Sequence, residues 1–317
     1  MPAQPAIIRH VKIVRTFNPN CFMLLSIMIE MNSEKNTIWP DPFCPLPALY
    51  LVATPIGNLR DVTLRALDVL QASDVILCED TRVSGKFLKA YGIKKPLKTY
   101  HDHSTEKDRA EIVKMLKEGK CVALISDAGM PLIADPGYKL VQEVRASGLP
   151  VYAIPGANAP LMALQLSGLP SDAFSFHGFL PPKQKARQDV LGALKGRKET
   201  SIFFETAPRL LKSLQDIAGV YGDVDCVIAR ELTKKFEEVK AGSATDLISY
   251  FEKNTLKGEI VLLIGPSAQG VSGDDIDAQL KKLLKDMSVK EAVATLVDAT
   301  GLPKKMIYNR ALELKDK

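Results

Sequence analysis

The stretch Ser126-Asp127-Ala128-Gly129-Met130-Pro131-Leu132-Ile133-Ala134-Asp135-Pro136-Gly137 follows the apolar run Cys121 to Ile125 and opens a helix at Tyr138. Small residues, glycines and prolines fill it, so backbone N–H and C=O groups can come close to a ligand while the turn keeps its shape. In α/β proteins ligands collect at the carboxyl ends of strands. The loop therefore reads as one wall of a binding site.

Upstream, Leu49 to Ala53 is an apolar run of strand length, followed by the tight turn Thr54-Pro55-Ile56-Gly57-Asn58. Thr63 then caps a helix that turns Leu64, Leu67 and Leu70 inward. The alternation continues through strands Val75 to Cys78, Leu97 to Tyr100, Cys121 to Ile125 and Val151 to Ile154. Helices Lys86 to Tyr91, Glu106 to Lys117 and Tyr138 to Ala146 separate them. Apolar strands alternating with helices predict an α/β domain with a parallel sheet covered on both faces. A helix through Leu166 and the turn Gly168-Leu169-Pro170-Ser171 close this domain, residues 48–168.

A second α/β domain, residues 169–265, reads as strands Phe174 to Phe179, Ser201 to Phe204, Asp225 to Ala229, Glu238 to Lys240 and Glu259 to Ile264. Its helices are Lys185 to Leu194, Arg209 to Ala218 and Ala244 to Phe251, and its return strands predict a mixed sheet. After the polar linker Pro266 to Asp274, residues 274–317 form a helical tail. There Ala299-Thr300-Gly301-Leu302-Pro303 separates two helical patterns as a helix-turn-helix requires.

A chain of 317 residues, 46% hydrophobic and 25% charged, has room for two domains and this appendage. The net charge of +5 suits a protein that meets phosphate but is too mild to identify one. Cys21, Cys44, Cys78, Cys121 and Cys226 form no C-x-x-C pair, so neither a disulfide framework nor a zinc knuckle is implied and a reducing cytoplasm is expected. Arg9, Lys12 and Arg15 precede the apolar run Cys21 to Ile29, which is too short to span a bilayer and lacks a small-residue cleavage site. Residues 1–47 read as a disordered leader or as sequence ahead of the true start, with Met23, Met28 and Met31 as alternative starts and no membrane partner.

No G-x-G-x-x-G follows the first strand, and G-x-x-x-x-G-K-[ST], G-x-S-x-G and H-E-x-x-H do not occur. This argues against a Rossmann dehydrogenase, a P-loop NTPase, an α/β-hydrolase and a zincin. Three small-residue loops remain: Thr54 to Asn58, Ser126 to Gly137 and Pro155 to Ala159. Any one alone is an ordinary strand-to-helix connection, whereas three in one domain suggest a shared site.

These residues resemble a known family. Leu51-Val52-Ala53-Thr54-Pro55-Ile56-Gly57-Asn58-Leu59, Cys78-Glu79-Asp80-Thr81-Arg82, Ser126-Asp127-Ala128-Gly129, Asp135-Pro136-Gly137 and Pro155-Gly156-Ala157 are similar to the tetrapyrrole-methylase-fold methyltransferases. Phe176-His177-Gly178-Phe179-Leu180-Pro181, Phe204-Glu205-Thr206-Ala207-Pro208-Arg209-Leu210-Leu211 and Ala229-Arg230-Glu231-Leu232-Thr233-Lys234 match as well. Within the family the sequence most resembles the group of ribosomal RNA small subunit methyltransferase I, and Glu79-Asp80-Thr81-Arg82 with Arg230 to Lys234 favour that RNA branch. The resemblance covers Leu49 to Gly265 and implies S-adenosylmethionine bound between two domains. It also implies 2′-O-methylation of a cytidine in the decoding region of 16S rRNA, on the RNA or the 30S subunit, by a homodimer. Met130 departs from the pattern, which has a small hydroxyl residue there.

A sulfonium cation joined to adenosine and an amino acid calls for carbonyl oxygens, a carboxylate and glycines. Pro55, Gly57, Asn58, Ser126, Asp127, Ala128, Gly129, Pro155, Gly156, Ala157 and Ala207 are the candidates. Asp127 has the alternative role of an Asx turn holding its own loop. A ribose hydroxyl gains from a proton acceptor. Glu231 is the first candidate, followed by Glu79 and Asp80, each of which could instead form an ion pair with Arg82, Arg230 or Lys234. His101 and His103 flank Asp102 in what reads as a strand-end loop rather than a metal site. RNA contact falls to Arg82, Lys183, Lys185, Arg187, Arg230 and Lys234, with a solvated helix face as the alternative for the Lys183 to Arg187 cluster, and in the tail to Lys304, Lys305 and Arg310, where a dimer or partner contact is the alternative. The rival readings are a tetrapyrrole carbon methyltransferase on the same fold and a non-catalytic RNA-binding assembly protein.

Overall fold

The computed structural model describes residues 43–254, 257–267, 273–300 and 304–315. Most of the expected leader, part of the linker after Gly265 and the turn at residues 301–303 lie outside the described residues. The chain divides into two compact units, one ending at Asn158 and the other starting at Ala159.

The first unit holds β1 (Leu49–Val52), β2 (Val75–Cys78), β3 (Leu97–Thr99), β4 (Val122–Ile125) and β5 (Val151–Ile154). They form one sheet in the order β3-β2-β4-β1-β5, parallel throughout. The helices are α1 (Leu64–Ala72), α2 (Thr81–Ala90), α3 (Glu106–Lys117) and α4 (Tyr138–Ala146). Alternation within the apolar runs divides the core between the two faces. Tyr50, Val52, Ile76 and Ala123 pack with Val69 and Leu88 on one, and Leu49, Leu77 and Leu124 with Ile112, Leu116 and Leu140 on the other. The helix expected from Lys86 begins at Thr81, because the Asp80 carboxylate caps it through the Arg82 backbone N–H at 2.8 Å.

The second unit opens with α5 (Ala159–Ser167), which packs on the sheet of this unit, whereas the sequence reading kept that helix with the first domain. Its apolar residues run around the helix, so the hydrophobic pattern does not say which neighbour it covers. The sheet comprises β6 (Phe174–Phe179), β7 (Thr200–Thr206), β8 (Asp225–Arg230), β9 (Glu238–Ser243) and β10 (Glu259–Ile264) in the order β6-β7-β10-β8-β9. Only β6 and β7 pair in parallel, so the sheet is mixed. Helices α6 (Gln184–Leu194), α7 (Ala207–Tyr221) and α8 (Ala244–Lys253) carry Leu191, Leu210, Leu214, Ile217 and Leu247 into the core with Phe203, Ile228 and Leu262. The tail helices α9 (Gly273–Asp286), α10 (Val289–Thr300) and α11 (Lys304–Lys315) share a core of their own at Leu280, Val293, Leu296, Ile307 and Ala311. Arg310 is pinned by Asp277 at 2.7 Å and by Glu313 at 2.6 Å, so its charge is engaged inside the tail.

Candidate active site

In the first unit every candidate ligand loop sits at the carboxyl edge of the parallel sheet. Strand β2 connects outward to β3 and β4 connects the other way to β5, which makes the gap between β2 and β4 a topological switch point. Across it the Asp80 N–H and the Ser84 hydroxyl each donate to Asp127 Oδ1 at 3.4 Å. The Asp127 carboxylate thus ties the loop after β4 to the one after β2 at this crevice. The loops after β1 and β4 are clasped by a two-residue bridge, with Thr54 N–H donating to Gly129 O at 2.8 Å and Gly129 N–H to Thr54 O at 3.1 Å. The Thr54 hydroxyl adds a bond to Ser126 O at 3.0 Å.

Gly129 occupies the left-handed region at φ +88°, and a Cβ there would stand 3.3 Å from Ile56 and 3.7 Å from the Ala157 carbonyl. The loops carrying Pro55, Gly57 and Asn58, Ser126 to Gly129, and Pro155, Gly156 and Ala157 thus meet around one glycine. Leu132 and Ala134 also have positive φ, at 71° and 62°, so the loop is held in a costly conformation. The Met130 sulfur accepts from the Asn158 amide at 3.2 Å, which places the departing residue within this cluster of loops.

Acidic side chains rim the same edge. Asp80 is bound by the Arg82 guanidinium at 2.6 Å, and this bond, with the Arg82 N–H, pulls its pKa down to about 2. Asp135, which the sequence reading quoted only within a motif, has its pKa raised by burial and by the nearby Glu79, Asp127 and Asp102 carboxylates, against the Ser126 hydroxyl. Glu79 is exposed and takes part in no ion pair among the described residues. The His101 and His103 rings lie edge-to-face at 6.0 Å, and among the described residues no three His, Cys, Asp or Glu side chains converge as a metal site requires.

In the second unit the remaining candidates gather at one end of the sheet, where β6, β7 and β8 end and β10 begins. Ala207 opens α7 and packs partly against the core. Lys183 is exposed at the start of α6, and Lys185 is paired on the surface with Asp189. Arg187 corrects the sequence reading. It is buried, bound to Asp216 at 2.5 Å, and donates to the carbonyls of Pro181 and Pro182 at 3.3 Å, so its charge is engaged within the fold and supports the loop carrying Lys183. Arg230 is paired with Glu238 at 2.5 Å across β8 and β9. Lys234 is shared between Glu231 at 3.0 Å and Glu259 at 2.9 Å. Lys234 and the Glu259 N–H hold the Glu231 pKa below the usual carboxylate range, against partial burial. Such a carboxylate is a weaker proton acceptor than a free one.

Residues 48–248 match the family described as Tetrapyrrole (Corrin/Porphyrin) Methylases. The chain belongs to that family. Residues 270–315 match a second description, RsmI C-terminal HTH domain. Relatives named Ribosomal RNA small subunit methyltransferase I include one from Mesorhizobium japonicum, 48% identical over 87% of this chain and 95% of its own length. One from Erythrobacter litoralis is 50% identical over 85% and 96%, and one from Escherichia coli O157:H7 is 43% identical over 84% and 94%. Among solved structures, a cobalt precorrin-4 methyltransferase aligns with a TM-score of 0.51 at 18% identity, covering 69% of this chain and 95% of its own. A diphthine synthase aligns with a TM-score of 0.52 at 15% identity, covering 69% and 90%. At these identities the two structures show the tetrapyrrole methylase fold alone, a mixed second sheet following a parallel first.

Proposed function

We propose that this tetrapyrrole methylase transfers a methyl group from S-adenosylmethionine to the 2′-oxygen of a cytidine ribose in the decoding region of 16S rRNA. The observation that carries the reading is the convergence on Gly129 of the loops after β1, β4 and β5, next to the switch point that Asp127 bridges and to the acidic side chains of the same edge. Such an edge suits a cation, and the backbone of Ser126 to Gly129 and of Pro55 to Asn58 offers the close-lying polar groups that adenosine and an amino acid need. When bound, the cofactor supplies an electrophilic methyl group.

The chain's part is positioning and proton management. The Thr54–Gly129 clasp fixes the loops, and alignment for an in-line displacement is worth up to about 7–11 kcal/mol in favourable cases. Of the three carboxylates proposed to take the hydroxyl proton, Asp80 and Glu231 are tied in ion pairs. Glu79 is the one left exposed for the task, an effect of about 10²–10⁴-fold. Lys183 is exposed and offers a cation for phosphate, whereas Arg230 and Lys234 are engaged by carboxylates. The relatives' name supports an rRNA substrate, and we take the chain to act as a cytoplasmic homodimer on the RNA or the 30S subunit. Nucleoside mass spectrometry of 16S rRNA after incubation with protein and cofactor tests the reading. A gain of 2′-O-methylcytidine is expected, and methylation of a base or of no rRNA nucleoside would refute it.

A further inference from the structure

The connection between β8 and β9, residues 231–237, is costlier than a seven-residue turn between antiparallel strands needs to be. Glu231 and Thr233 are both in the left-handed region, at φ 50° and 65°, where side chains other than glycine are disfavoured. The turn is also fastened at several points. Leu232 is buried, and Lys234 bridges Glu231 and Glu259. Glu231 Oε1 accepts from the Glu259 N–H at 3.1 Å, and the Glu231 side chain lies so close over Gly258 that a Cβ there would force it to move. The Thr233 N–H is taken by the Glu237 carboxylate, and the Glu237 N–H donates to Lys234 O at 3.1 Å.

What this fastening holds in place is Phe236, which is 66% exposed, with the Lys235 ammonium 5.6 Å from its ring centroid. A single exposed aromatic is commonplace on a flexible loop. Here it is held on a strained, ion-paired turn, and Lys235 beside it supplies a cation for phosphate. A rigid ring beside a cation is the arrangement that stacks on an unpaired nucleobase while the charge meets the backbone.

We propose that Phe236 is a stacking platform for an unpaired base of the RNA substrate, and that Glu231 is the positioning residue that locks the platform's turn. The inference rests on the rRNA reading above and deepens it, because a ribose oxygen is reached most readily where a nucleotide is splayed out of its stack.

The test uses the full chain and two labelled RNA oligonucleotides of equal length, one single-stranded and one fully paired, titrated at several salt concentrations. Phe236→Ala is expected to weaken single-strand binding about 5- to 150-fold, far more than duplex binding, without lowering the salt slope. Phe236→Trp restores it, and Lys235→Ala lowers the slope by about one. Glu231→Gln raises the KM for RNA by a larger factor than it lowers kcat. If wild-type protein binds and Phe236→Ala binds the single strand within about twofold of it, the inference falls and the rRNA reading stands. Equal loss on both RNAs, or a changed oligomeric state with RNA affinity intact, also overturns it. Failure of the wild-type protein to bind either RNA would remove the rRNA reading and the inference together.

Discussion

Arg187 and Lys185 stand two positions apart in one basic segment, yet burial gives them opposite roles. Removing one partner of a buried ion pair leaves the other charge stranded, so Arg187→Ala is expected to cost about 3–5 kcal/mol in urea unfolding. Lys185→Ala, at a side chain 85% exposed, should stay within about 0.5 kcal/mol. A hint lay in the sequence: Arg187 is spaced four and seven residues from Leu191 and Leu194, on the apolar stripe of its helix. The partner Asp216 could not be read, because it lies on another helix and only tertiary packing brings the two together. Burial raises the Asp216 pKa, but hydrogen bonds from Gln184, Gln188 and Arg187 outweigh it and hold the group below its ordinary value. The stability it contributes is therefore present above about pH 4 and lost as the pH falls through the lowered value. Urea midpoints between pH 6 and pH 3 should fall more steeply for the wild-type chain than for Asp216→Asn. At Glu79 the expectation is kinetic: Glu79→Gln should lower kcat by about 10²-fold or more while the affinity for S-adenosylmethionine, measured by calorimetry, holds.

Strands β1, β2, β4 and β10 were legible because each is a continuous apolar run bounded by turn residues, whereas β3 and β9 carry no such run, and the Ser126 to Gly137 loop was legible because its composition is so unlike a helix or strand. The start of α2 was missed for a chemical reason. Asp80-Thr81-Arg82 was read as site chemistry, and its equally strong signal as a helix cap was passed over. The partner of α5 was missed because a helix apolar all round has no preferred face. The clasp between the loops after β1 and β4 lay beyond sequence reading, since it joins residues 75 positions apart. It also gives a direct test of the cofactor grip. Gly129→Val adds a branched side chain at a positive φ against Ile56, and should weaken S-adenosylmethionine binding by about tenfold or more with the far-UV spectrum of a folded protein. Unchanged affinity in that variant would move the grip away from the switch point.

Across the whole molecule, the two α/β units and the helical tail each have a core of their own; the tetrapyrrole methylase match covers residues 48–248 and the separate C-terminal HTH match covers the tail, residues 270–315. The fold is shared by enzymes that act on different acceptors, so it cannot choose the substrate. The proposed rRNA substrate is supported by the relatives' name and by the fastened, lysine-bearing turn in the second unit. The measurement that tests this most directly is transfer of a labelled methyl group from S-adenosylmethionine, offered in parallel 30S subunits, naked 16S rRNA and a tetrapyrrole. Label is expected on the small-subunit RNA, at a ribose 2′-oxygen of a cytidine; label on the tetrapyrrole alone would contradict the account.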